Sequence, residues 1–133
     1  MKNVAEKFAS LERDIATEKG DFTLFALFLR EDSLDKWDIL VSAPWLETNK
    51  KKSLEYLAKE IHSRLDSHEL LSLSRIVLLE KDNPGLEAIY RSIRVKHGMF
   101  EVKDSVFFGL QIKHAYIITS ERQKSASNSS SHS

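Results

Sequence analysis

Glu101-Val102-Lys103 is the only acid-x-lysine triplet in this chain of 133 residues. On a strand, and joined by an upstream aspartate, such a triplet can hold Mg²⁺ and orient a water against a phosphodiester. Asp38 and Asp82 are the available partners. With 13 lysines and 20 acids in the chain, however, chance alone supplies roughly two such triplets. A helix expected over 84–93 also separates Asp82 from Glu101, whereas a metal nuclease joins those positions by adjacent strands. The ordinary reading is an exposed strand edge with alternating charge.

Other constellations are weaker. Glu31, Asp32, Asp35 and Asp38 cluster, but no pair has the one-residue spacing on a strand that would hold two metals for nucleotidyl transfer, and no Gly-Ser precedes them. They read as a solvated hairpin tip. His62 and His68 are six residues apart, off the i, i+4 spacing of a helical metal site, and His97, His114 and His132 are scattered. Gly20, Gly85, Gly98 and Gly109 stand too far apart to build a phosphate-cradling loop. No GxSxG elbow is present, and most serines fall in the tail or where helix capping explains them. Without cysteine, disulfides, thiolate metal sites and cysteine nucleophiles are excluded. No catalytic set, metal site or cofactor is expected.

Two features stand above this background. Lys50, Lys51 and Lys52 follow Asn49 in the expected first turn of a helix, where the dipole favours acids and disfavours cations. An anion or an acidic protein surface would turn that cost into affinity. Arg91, Arg94, Lys96 and His97 form a second basic run at the end of a later helix, where cations suit the dipole. Together the two runs would make one positive patch. Trp45, after Pro44 at a strand end, is either a lid over the core or an exposed anchor for a partner. The candidate binding residues are therefore Trp45, Lys50, Lys51, Lys52, Arg91, Arg94 and His97.

The elements that must position these residues follow from periodicity. Val4, Phe8, Leu11 and Ile15 place one apolar stripe on a helix over roughly 3–18, ended by Gly20. FTLFALFLR (22–30) is apolar at nearly every position, as a strand covered on both faces would be. Trp37, Ile39, Val41 and Ala43 alternate with Asp38, Leu40 and Ser42, giving a second strand that should form a hairpin with the first and stop at Pro44. Leu54, Leu57, Ala58, Ile61 and Leu65 mark a second helix, its N-cap Thr48, Asn49 or Ser53. SRIVLLE (74–80) should pair parallel with an earlier strand. Asp82 or Asn83, followed by Pro84, starts a third helix with Leu86, Ile89, Tyr90 and Ile93 on its buried face. Three β-rich segments, MFEV, SVFFGLQI and HAYIIT, separated by Lys103-Asp104-Ser105 and Lys113-His114, suggest a closing meander, with Gly109 marking a bulge or bend.

The order α-β-β-α-β-α-β-β-β predicts an α+β domain over residues 1–120, with a mixed sheet of about five to six strands and three helices. Residues 121–133, Ser-rich, are expected to be a disordered tail. Charge balances at 20 basic and 20 acidic residues, so affinity for polyanions would need a local patch. No unbroken apolar stretch marks a signal peptide or membrane span, and a cytoplasmic location is expected. The function expected first is a non-catalytic protein-interaction or regulatory module, with another protein as partner and a homodimer through a sheet edge as one form. The alternative is a binder or metal-dependent enzyme acting on an anionic, phosphate-bearing ligand such as a nucleotide or nucleic acid.

Overall fold

A computed structural model describes residues 1–123. The chain runs α1 (Lys2–Lys19), β1 (Leu24–Arg30), β2 (Trp37–Ser42), α2 (Pro44–Thr48), α3 (Lys50–Arg64), α4 (Ser67–Leu70), β3 (Leu73–Leu78), α5 (Pro84–Ser92), β4 (Phe100–Phe107) and β5 (Leu110–Ser120). The fold is α+β, with one mixed sheet in the order β3-β2-β1-β5-β4. β1 is antiparallel to both β2 and β5, β3 is parallel to β2, and β4 is antiparallel to β5.

The central strand shows why the sheet is three layers deep. Successive side chains of a strand point to opposite faces, and β1 is apolar on both. Phe25, Leu27 and Leu29 enter a core with Phe8, Leu11 and Ile15 of α1, Leu46 of α2, and Leu57 and Ile61 of α3. Leu24, Ala26 and Phe28 enter a second core with Leu86, Ile89 and Tyr90 of α5. α5 alone covers the second face, and Phe107 and Phe108 close it, their rings 5.2 and 6.3 Å from that of Phe28.

Three expectations are corrected. Pro44 does not merely stop β2: its fixed φ suits a first helical position, so it starts the short helix α2. The closing meander has two strands, not three. Lys103-Asp104-Ser105 and Lys113-His114 do not interrupt them, because β4 stays in register with β5 from Phe100↔Ile117 to Phe107↔Leu110. The turn lies instead at Phe108-Gly109, whose φ values of 55° and 73° are those of a two-residue hairpin turn twisted to match its strands. Of the bulge or bend expected at Gly109, the bend is what forms, as the second residue of this turn. Beyond β5 the Glu121 amide donates to the Thr23 carbonyl at 2.9 Å and Arg122 pairs with Glu87. The Ser-rich remainder of the expected tail lies outside the described residues.

Of the alternatives for the second long helix, Asn49 is the cap: its side chain accepts from the Lys52 amide at 3.2 Å. Asn83 caps α5, accepting from the Gly85 amide at 2.8 Å.

Candidate functional site

The register places Leu24 beside Ser42 and Ser120, and Val41 beside Leu78. The carboxyl ends of β2, β3 and β5 therefore share one end of the sheet with the start of β1, and α2 and α5 begin there. A groove of about 700 Å³ opens at this end, with Thr23, Ser42, Glu47, Asp82, Glu87, Tyr90 and Arg122 among its lining. Adjoining hollows bring in Arg94, Lys96 and Asp21. Arg122 and Lys96 face carboxylates, whereas the side chains of Lys81 and Arg94 form no ion pair among the described residues. Arg122 pairs with Glu87 and, through that hydrogen bond, holds its carboxyl below the ordinary range. Lys96 lies 3.1 Å from Asp21 and 3.5 Å from Glu121, and the Asp21 hydrogen bond leads in raising its pKa. Burial raises the Tyr90 phenol, against the hydrogen bonds of Thr23 and Ser42. An anion would have to displace these carboxylates to reach Arg122 or Lys96.

The residues singled out from sequence are spread over several places. Trp45 lies partly buried, its ring edge-on to Phe22 at 5.5 Å and to Tyr56 at 6.2 Å, and its indole nitrogen is buried without a partner. Lys50 pairs with Glu80, while Lys51 is exposed. Lys52 lines a shallow depression with Lys19, Trp45 and Tyr56. Arg91 is 3.5 Å from Glu87 within α5, Arg94 lines the groove, and His97 is turned toward α1. No ion pair or hydrogen bond among the described residues joins Lys50, Lys51 or Lys52 to Arg91, Arg94 or His97. The acid-x-lysine triplet likewise lacks its aspartate: Glu101 accepts from His114 Nε2 at 2.6 Å, Asp38 lies against Arg30 and Arg75, Asp82 lines the groove, and no three acids or histidines among the described residues are grouped to hold a metal.

Sequence reasoning passed over Glu12. Its carboxylate is fully buried and accepts from His97 Nδ1 at 2.8 Å and from the Thr119 hydroxyl at 2.8 Å. A signal existed, since Glu12 falls four residues after Phe8 on the apolar stripe of α1, where an acid needs a buried partner.

The free edge of β4 is the other feature. Of the described residues, five large apolar side chains are exposed, and Phe100, Val106 and Leu110 are three of them. All three belong to the β4–β5 hairpin. Phe100 and Val102 lie opposite Ile117 and Ala115, on the α5 side of the sheet, while Glu101 and Lys103 lie opposite Tyr116 and His114, on the α1 side. Among the described residues no strand pairs with the outer side of β4. At the opposite edge, β3 is shorter, and its Ser74 and Arg75 are exposed. No family model, curated protein or solved structure matches the chain.

Proposed function

We propose that this chain is a protein-interaction module whose docking surface is the free edge of β4 together with the tip of the β4–β5 hairpin. The observation that carries the reading is the outermost place of β4 among the described strands, with Phe100 and Val106 exposed along it and Leu110 exposed at the start of β5 beside the hairpin turn. Such an edge offers a row of backbone donors and acceptors for an added strand, and flanking apolar side chains supply contact area. Proteins commonly blunt free edges with charge, proline or short length. β4 is eight residues long and carries no proline, and its charges, Glu101, Lys103 and Asp104, are of mixed sign, so that they can be matched by an added strand.

The reading is tested by photo-crosslinking. A photoreactive residue at position 106 should give discrete protein adducts in cells, and these should disappear when Phe100→Lys is added. A photoreactive residue at position 51, beside Trp45 and the lysines, serves as the comparison. Adducts at 51 and none at 106 would move the docking surface to the start of α3 and overturn the reading.

A further inference from the structure

We infer that the strand added at this edge is β4 of a second copy, antiparallel and centred on Val102. The inference rests on the reading of the β4 edge as a docking surface and supplies its partner. Two copies joined edge to edge by a two-fold axis perpendicular to the sheet keep each face on its own side, so directly opposed residues must share a face. Period two holds from Phe100 to Lys103 and breaks at Asp104, since Ser105 lies opposite Ile112 and Phe107 joins the α5-side core. Within that regular run the axis must pass through a residue, and the charged positions Glu101 and Lys103 flank Val102.

Charge decides which residue. An axis through Lys103 sets Lys103 against its own copy, and one through Glu101 does the same for that acid; like charges directly opposed are destabilising. The axis through Val102 alone sets Glu101 against Lys103 of the second copy, twice by symmetry. Both side chains are available for this. His114 engages Oε2 of Glu101 and leaves Oε1 without a hydrogen bond among the described residues, while Lys103 is exposed and forms no ion pair among them.

The other face agrees. Val102 meets its own copy there, and Phe100, set opposite Asp104 where the regular run ends, lies diagonally across from Val102, within reach of an aromatic side chain. The two copies thereby cover the half-exposed Phe100, whose accessibility is 48%. Asp104, with φ of 51°, ends the regular run where this pairing ends.

The chain contains no cysteine, which makes the register directly readable in the full-length protein. Single cysteines at positions 101 to 105, oxidised under identical conditions, should cross-link fastest for Val102→Cys, because only there would both thiols face each other across the axis. In sedimentation experiments the parent chain should dimerise with rising concentration. Lys103→Glu should weaken the dimer by about tenfold or more, and the exchange Glu101→Lys with Lys103→Glu should restore it.

A cross-linking maximum at another position, or an exchange that fails to restore a dimer while circular dichroism shows an intact fold, would overturn the inference. A chain that is monomeric at every concentration overturns it too. In that case, adducts to a different protein at position 106 leave the docking reading standing, and their absence removes both.

Discussion

Nδ1 of His97 lies 2.8 Å from one carboxylate oxygen of Glu12 and 3.1 Å from the other, joining α1 to the segment before β4 across 85 positions of sequence. Glu12 is wholly buried, and its one further partner is the Thr119 hydroxyl. Removing one member of a buried pair strands the other. His97→Ala should therefore cost about 3 kcal/mol or more, including the strain of alanine at the left-handed φ of 53° that His97 adopts. Adding Glu12→Met to His97→Ala should recover part of that loss, since it takes away the stranded charge. Urea denaturation of both single variants and the double variant measures the coupling, and strict additivity would show that the pair contributes nothing.

Acid should weaken the fold through exposed carboxylates as well. Glu69, hydrogen-bonded by Lys7 and by the Asp66 amide, Glu87 by Arg122, and Glu101 by His114 all titrate below the ordinary 4.5. A depressed folded-state pKa contributes stability that is present above the unfolded value and lost as pH falls through the folded one. Denaturation midpoints should therefore decline below about pH 5. Replacing Glu69, Glu87 and Glu101 with glutamine should lower stability at neutral pH and flatten that acid decline.

Gly85 and Gly109 should respond to alanine for different reasons. A Cβ on Gly85 would stand 2.1 Å from Cδ1 of Phe108, whereas one on Gly109 would meet nothing within 4 Å but would sit at φ 73°. Gly85→Ala should cost about 1 to 3 kcal/mol through overpacking and become milder when combined with Phe108→Ala. Gly109→Ala should cost about 1 kcal/mol through backbone strain alone, independently of Phe108, and Gly109→Asn should recover much of it. Thermal unfolding of the two series separates the mechanisms.

What could be read from sequence divides along the same physical lines. β1 was legible because burial on both faces removes alternation, leaving LFALFL as one apolar run. Asn49 and Asn83 were legible as caps because capping is local. The hairpin turn was not, since Phe108-Gly109 interrupts an apolar stretch with no polar turn residue, while Lys103-Asp104-Ser105 imitates a turn inside a continuous strand. Asp104 does adopt a positive φ, so its turn chemistry is real, but pairing with β5 overrides it. The Glu12–His97 contact could not be paired from sequence because its members belong to segments brought together only by the sheet. The exposed edge depends on strand order, which places β4 outermost.

Asp38 shows how burial changes the meaning of an acid. Grouped by sequence with Glu31, Asp32 and Asp35, it is instead 3% exposed on the α5 side of β2, with Arg30 Nε 2.9 Å from Oδ2 and Arg75 Nε 3.4 Å from Oδ1. The two arginines are unequal. Arg30 makes a well-formed hydrogen bond and its side chain is 23% accessible, whereas Arg75 is 57% accessible and leaves Oδ1 without a hydrogen bond. Exposed ion pairs contribute little because water and salt screen them. Arg30→Gln should therefore lower the denaturation midpoint several times more than Arg75→Gln, and added salt should erase the Arg75 effect first. Equal losses from the two substitutions would mean that Arg75 closes onto Oδ1 in solution and that Asp38 is held from both sides.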